Sequence, residues 1–234
     1  MSCEMCSSKL EVSWLEQCAA VIPCLNEGEH IGPVVTAVRR HVNTVLVVDD
    51  GSGDETAARA EAAGALVLRH PTPQGKGAAL QDGWVQARTR GFDWALCLDG
   101  DGQHAPEDIP VFFSCADRTQ ARLVVGNRMG QPGSMPWVRR LTNGFMSGRL
   151  SRLAGQYLPD TQCGYRLMNL SAWAGLEVRT RHFEIESELL LAFAQAGHRI
   201  EFVPIRVIYG REKSKINALR DAWRWWRWLR QWRP

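Results

Sequence analysis

Short apolar runs alternate with amphipathic stretches through the first half of the chain. Residues 19–23, 45–48, 66–68, 94–98 and 122–126 have the length and composition of buried strands. Between them, residues 31–41, 54–63 and 77–88 carry helical patterning, and Pro106 opens a further helix. This alternation predicts an α/β fold, a mostly parallel sheet with helices on both faces. Past about Gly130 the rhythm changes. Residues 138–154 read as a helix rich in Arg, Asn and small side chains, residues 160–164 as a loop, 184–196 as a helix and 200–208 as a strand. With no internal repeat and no long linker, residues 18–216 are expected to form one domain, preceded by a tail at 1–17 and followed by a helix at 217–234.

That last helix is unusual. Five tryptophans alternate with five arginines over residues 217–233. At ~100° per residue, Arg220, Arg224, Arg227 and Gln231 form one stripe, with Trp225, Trp228, Leu229 and Trp232 opposite. The pattern suits a helix lying in a membrane surface, aromatic rings at headgroup depth and arginines on anionic lipid. The alternative is a terminal helix that packs its tryptophans on the domain. Interleaved basic and aromatic residues also suit single-stranded nucleic acid, but no nucleic-acid-binding motif accompanies them, and no nucleic acid is expected as partner. Charge supports an anionic partner at this end: from Gly210 onward eight basic residues face two acids, so the rest of a chain with net charge +3 is net acidic.

Composition narrows the class. Apolar residues at 45% and charged residues at 23% are ordinary for a soluble globular protein. No apolar run approaches the ~20 residues that span a bilayer, and the N-terminus lacks the basic and apolar regions of a signal peptide. The seven cysteines are scattered. Cys18, Cys24 and Cys97 fall in or beside strands, and the Cys3/Cys6 pair has no second pair at zinc-finger spacing. A reducing cytoplasm is expected, with the protein peripheral at the inner face of the membrane.

The strand at 94–98 ends in Asp99-Gly100-Asp101-Gly102-Gln103-His104. Two carboxylates one residue apart are thus delivered at a strand's C-terminal end, where open α/β sheets place their ligands. Such a pair can hold a hard divalent cation that keeps several waters and binds substrate phosphates; a plain acidic turn is the alternative. Pro23-Cys24-Leu25-Asn26-Glu27 and Asp49-Asp50-Gly51-Ser52 follow the first two strands, which predicts an acidic rim built from three strands. A cation there, with Lys76 of Gly75-Lys76-Gly77 and Arg128 of Gly126-Asn127-Arg128, would turn that rim into a diphosphate site. The glycines beside Lys76 would let backbone approach a ligand closely.

These five motifs, in this order and spacing, resemble glycosyltransferase family 2. Asp160-Thr161-Gln162-Cys163-Gly164-Tyr165-Arg166, Phe183-Glu184-Ile185-Glu186 and Arg211-Glu212-Lys213-Ser214-Lys215 extend the likeness to its dolichyl- and polyprenyl-phosphate mannose or glucose synthases, over roughly residues 18–216. The resemblance implies a Rossmann-like GT-A fold. It implies an inverting transfer of a hexose from a nucleotide-diphosphate sugar, of the GDP-mannose or UDP-glucose type, to a polyprenyl or dolichyl phosphate.

It also implies roles. Pro23, Leu25, Glu27, Asp50 and Lys76 would surround the nucleotide, with Asp99 near its ribose or the metal. Asp101 and Gln103, with Asp99 beside them, would bind Mg²⁺ or Mn²⁺. Arg128 and Arg139 would meet phosphates, and Arg211, Ser214 and Lys215 would lie on a loop over donor and acceptor. Glu186 would face substrate, its alternative being to cap or solvate a helix start. A lipid monophosphate, largely dianionic at neutral pH, would need little general base. A hydroxyl acceptor, the second possibility, would want a carboxylate such as Asp160 within reach, unless Asp160 only caps its turn. A third possibility is a non-catalytic membrane- or nucleic-acid-binding module on a degenerate fold. Gly100, Gly102 and His104 depart from the bulkier eukaryotic pattern, which leaves the donor sugar open.

Overall fold

The computed structural model describes residues 14–130, 137–208 and 218–232. Seven strands form a single sheet in the order β3-β2-β1-β4-β6-β5-β7: β1 (Cys18–Cys24), β2 (Thr44–Asp49), β3 (Leu66–Arg69), β4 (Trp94–Cys97), β5 (Leu123–Asn127), β6 (Arg166–Asn169) and β7 (Ile200–Pro204). The expected α/β arrangement is observed. β1 pairs in parallel with both β2 and β4, and β5 with β7. The central runs are apolar throughout because both faces are covered, as parallel sheets require.

Helices α1 (Ile31–Val38), α2 (Thr56–Ala62), α3 (Lys76–Thr89), α4 (Ile109–Thr119) and α5 (Trp137–Ala154) fall where the 3.6-residue patterning places them, followed by the short α6 (Leu170–Ala174), α7 (Ile185–Gln195) and α8 (Ala218–Gln231). A 3₁₀ turn, Pro106–Asp108, precedes α4. The sheet changes direction at β1: β2 and β3 lie to one side of it, β4 to the other. The C-terminal ends of these strands therefore open on one crevice.

Three features depart from the sequence expectations. β6 was not predicted at all. It is antiparallel to both neighbours, with Cys97 and Val125 each opposite Arg166, and its four residues are buried. The last strand ends at Pro204 rather than 208. Asp108 captures the chain beyond it, its carboxylate accepting from Arg206 N and Nε, both at 2.8 Å. The chain then runs beside the Asp99 turn, with Val207 bridged to His104 and Ile208 N donating to Gln103 O at 2.9 Å. Finally, the end of the segment expected as a tail is anchored. Trp14 is buried, stacks on Phe113 at 4.6 Å and donates its indole N–H to Asp117 at 2.8 Å.

α8 joins the same core. Trp225 is buried, and Trp228, Leu229 and Trp232 pack against the main cluster. Trp225 donates its indole N–H to Ser187 Oγ of α7 at 2.9 Å. The aromatic stripe that the sequence offers to a membrane is thus the one that meets the protein, and in that respect the packing alternative holds. Among the described residues, no helix is long and apolar enough to cross a membrane. Cys18, Cys24, Cys97, Cys115 and Cys163 are buried free thiols; Cys3 and Cys6 lie outside the described residues.

Candidate functional site at the C-terminal edge of the sheet

β4, β5 and the start of β6 converge at one sheet edge. β4 leads into the Asp99 turn and β5 into Arg128. Antiparallel β6 begins between them at Arg166, fed by the 160–165 loop. Two glycines permit the crowding. A Cβ on Gly100 would lie 2.5 Å from Cys24 Sγ, and Gly102 holds φ at +74°, where a side chain is strained.

Lys76, at the N-terminus of α3, is the hub. Its Nζ lies 2.7 Å from both Asp99 Oδ1 and Glu186 Oε1, and 5.5 Å from the centre of the Phe183 ring. Burial opposes the ammonium's charge, but the two carboxylates outweigh it and raise its pKa. Conversely, burial pushes the Asp99 carboxyl up while Lys76 overcomes this and holds it at about 2. Glu186 thus has a specific task in the first turn of α7, beyond capping it.

Asp101 is in a different state. Its Oδ1 accepts from Gln103 N at 3.0 Å. Burial, together with the negative charge of Asp99, raises its carboxyl. A half-buried carboxylate beside a second one is a place where added positive charge is stabilising, so the residues present fit a cation. The donor set is oxygen-only, and among the described residues no cluster of three or more His, Cys, Asp or Glu could hold a metal ion. An ion at Asp101 would draw most of its ligands from water and substrate, which is the habit of Mg²⁺ and Mn²⁺. His104 supports the turn from beneath. It is buried, its Nδ1 accepts from Asp99 N at 3.2 Å, and its ring stacks on Tyr165 at 4.9 Å. Burial lowers its pKa, consistent with a neutral ring protonated at Nε2.

Arg128 is held as a fork. Its Nε and Nη2 donate to the two oxygens of Asp160 at 2.8 and 2.9 Å, and its backbone N donates to the same carboxylate at 3.0 Å. Gln162 N adds a longer bond at 3.3 Å. Burial opposes the charge on Asp160, but Arg128 outweighs it and lowers the pKa. A fully buried carboxylate with both oxygens committed is a poor proton acceptor. The geometry gives Asp160 the task of fixing Arg128 and its own turn, in place of the base considered from sequence.

The predicted acidic rim is smaller than expected. Asp49 and Asp50 are buried. Asp50 accepts from Gln74 N, Gly75 N and His70 Nδ1 at 2.7–2.8 Å, so it secures the loop that presents Lys76. Asp49 Oδ1 accepts from Ser52 N; Oδ2 makes no hydrogen bond but lies 3.3 Å from the largely exposed Arg69 Nε, a weak ion pair. The glycines beside Lys76 also serve protein contacts: a Cβ on Gly77 would lie 2.6 Å from Arg181 C and 2.7 Å from Thr180 O. Pro23 and Glu27 are half-buried and Leu25 is 36% exposed, all in or after the end of β1. Arg139 belongs to α5, with its side chain outside the described residues; Arg211, Ser214 and Lys215 lie outside them altogether.

Arg166, named from sequence only as the end of the 160–166 motif, and His70 are supporting residues whose tasks sequence reasoning missed. Buried Arg166 donates to the carbonyls of Cys163, Glu186 and Thr161 at 2.6–3.1 Å, tying the 160–165 loop to α7. A charged residue opening a strand inside the sheet is the signal that could have found it. His70 bridges Asp50 and Asp82; nothing in its local sequence marks it.

Comparison with known proteins places this geometry. The family model for glycosyl transferase family 2 matches residues 19–174. A UDP-N-acetylglucosamine–dolichyl-phosphate N-acetylglucosaminyltransferase of Methanococcus voltae is 30% identical over 212 residues, covering 81% of this chain and 84% of that protein. An undecaprenyl-phosphate mannosyltransferase of Micrococcus luteus is 30% identical over 201 residues, covering 80% and 82%. Among solved structures, glucosyl-3-phosphoglycerate synthase of Mycobacterium tuberculosis with Mg²⁺ and uridine diphosphate aligns with a TM-score of 0.71 at 22% identity, over 94% of this chain and 79% of that one. At that identity the likeness speaks for the fold.

Proposed function

Since the chain belongs to glycosyl transferase family 2 and has the GT-A fold, we propose that it is an inverting, metal-dependent hexosyltransferase. Its donor would be a nucleotide-diphosphate sugar of the GDP-mannose or UDP-glucose type and its acceptor a polyprenyl or dolichyl phosphate. The observation that carries the reading is the division of labour at the sheet edge. An undercompensated Asp101 faces one side, and an arginine fork held by Asp160 stands two strands away. The relatives that act on dolichyl and undecaprenyl phosphate support the acceptor class.

In this scheme Pro23, Leu25, Glu27 and the Asp50-braced loop surround the nucleotide. Lys76, neutralised by Asp99 and Glu186, fixes the spacing between donor and acceptor sides. Asp101, with Gln103 and Asp99, would hold Mg²⁺ or Mn²⁺, which supplies Lewis-acid stabilisation of the leaving diphosphate. Arg128 is pre-oriented by Asp160 to donate to phosphate oxygens, an electrostatic contribution needing no rearrangement at the moment of reaction. Arg139, Arg211, Ser214 and Lys215 are assigned to acceptor and donor phosphates by resemblance. The Asp160 and Glu186 carboxylates are both engaged by cations, so a phosphate acceptor suits this site better than a hydroxyl needing a base.

The test is direct. The protein, Mn²⁺, a panel of radiolabelled nucleotide sugars and undecaprenyl or dolichyl phosphate are incubated and extracted into organic solvent. Label should enter the organic phase with one donor and disappear with chelator. Label that instead reaches only soluble sugar acceptors would overturn the lipid reading.

A further inference from the structure

Arg166 opens β6 inside the sheet and is 3% exposed. Its guanidinium donates to three backbone carbonyls: Nε to Cys163 O at 2.7 Å, Nη1 to Glu186 O at 2.6 Å and Nη2 to Thr161 O at 3.1 Å. Each of these acceptors is neutral, and burial lowers the guanidinium's pKa. A buried cation solvated by carbonyls costs stability that a packed apolar side chain of similar volume would not. Holding β6 in the sheet is therefore a weak reason for it.

The three carbonyls supply a better one, because each lies at or beside a charged pair of the site. Thr161 follows Asp160, whose carboxylate holds the Arg128 fork. Glu186 itself pairs with Lys76 at 2.7 Å. Cys163 precedes Gly164, which sits directly against the other half of the Lys76 bridge: a Cβ there would be 3.0 Å from both Lys76 Nζ and Asp99 Oδ2. One planar group thus spans the Arg128 fork and the Lys76 bridge. Its charge completes the balance as well. Lys76, Arg128 and Arg166 stand against Asp99, Asp160 and Glu186, which leaves Asp101 as the carboxylate open to an added cation. A lysine would supply the charge without the span, since its ammonium is a point donor and the guanidinium donors are fixed in one plane.

We propose that Arg166 is a positioning residue for the transfer: it fixes the separation between the Arg128 fork and the Lys76 bridge, and through them the separation between acceptor phosphate and donor. The proposal deepens the reading of the chain as a transferase to a phosphate acceptor and rests on it. Arg166 touches neither substrate. It acts through the Asp160 turn on one side and through Glu186 on the other, with Gly164 held between them. A shift of roughly an ångström between reacting groups costs on the order of 10²-fold in rate, so a brace of this kind acts on turnover and acceptor binding before it acts on the donor.

The test compares the native full chain with Arg166→Lys and Arg166→Ala. In the solvent-extraction assay Arg166→Lys should lose roughly 10²-fold in kcat, and its KM for polyprenyl phosphate should rise. The nucleoside diphosphate of the donor, titrated with Mn²⁺, should bind it no more weakly than it binds the native protein. The backbone amides of Arg128 and Gln162, which both donate to Asp160, should exchange hydrogen faster. Arg166→Ala leaves space for a free guanidinium ion, which below denaturing concentration should restore part of kcat where methylammonium does not. Native kcat and acceptor KM in Arg166→Lys would overturn the proposal. So would donor binding that weakens as much as acceptor binding, the mark of a loosened fold. Guanidinium that restores the melting temperature of Arg166→Ala but not its kcat would show a purely structural residue and overturn it too. A native protein that transfers no sugar to polyprenyl phosphate would sink the acceptor reading, and the brace would then stand or fall on the amide exchange.

Discussion

Asp160 and Asp101 are carboxylates at the same sheet edge whose surroundings move them in opposite directions, and this predicts opposite consequences of removing their charge. Asp160 is lowered below the ordinary carboxylate value of about 3.9. Its unfolded form takes up a proton first as pH falls, so the stability from the Arg128 pair is complete above about pH 4 and is lost as pH drops through the lower folded value. Asp160→Asn should cost about 3 kcal/mol at neutral pH, because Arg128 keeps its buried charge without a partner. Its melting temperature should then fall less steeply with acid than that of the native protein. Equal acid slopes in calorimetry would refute the pairing. Asp101 has no such cation partner, so Asp101→Ala should leave the stability within about 0.5 kcal/mol of native while abolishing transfer. Asp99→Ala removes the carboxylate assigned to the ribose and metal and should chiefly weaken donor binding, measured by titration calorimetry with metal present. The Asp99/Asp101 turn was legible because an apolar strand stops at it. The bracing of the 74–75 loop by Asp50 was not legible, because sequence shows that a carboxylate follows a strand, not that backbone amides of residues 74 and 75 lie within its reach.

At the scale of elements, what the sequence concealed has physical causes. The alternating strands and helices up to β5 announce themselves through unbroken apolar runs and helical spacing. β6 does not: it is four residues long, opens with Arg166, and follows a polar loop. Its strand character comes from two neighbours pairing with it, a tertiary effect that outweighs local propensity. For α8 the periodicity gives the stripe but leaves its partner open between lipid and protein, since an apolar stripe is the same whichever it faces. Its attachment is testable. Trp225→Ala removes a buried indole and its bond to Ser187, for a cost of about 3–5 kcal/mol. Ser187→Ala keeps the ring and should cost only about 1 kcal/mol. Limited proteolysis should cut the first variant ahead of α8 much faster than the second. Similar cleavage rates in both would mean that α8 is held by something other than Trp225.

At the scale of the molecule, the proposed function divides the sheet into a donor part built on β3-β2-β1-β4 and an acceptor part built on β6-β5-β7 with α5, α7 and α8. Lys76 is where they are joined by charge, one carboxylate coming from the β4 turn and the other from α7. Side chains in such a bridge transmit a difference in affinity only if both ligands change its energy. Nucleotide and acceptor phosphates brought to either side would each do so, because both add negative charge near one ammonium. Glu186→Gln keeps an oxygen for Lys76 but deletes the charge that balances it. The variant leaves Lys76 with one anionic partner, so incoming phosphates meet a less neutralised ammonium. Donor affinity measured alone should then rise by up to about tenfold, a coupling near 1.4 kcal/mol. Because both ligands bring negative charge to the same ammonium, bound donor should weaken acceptor binding in the native protein, and this coupling should change in the variant. Calorimetric titration of each ligand in the presence and absence of the other separates these terms. Unchanged donor affinity with unchanged cooperativity would show that the Lys76 bridge is a strut between the two parts and carries no signal across the site.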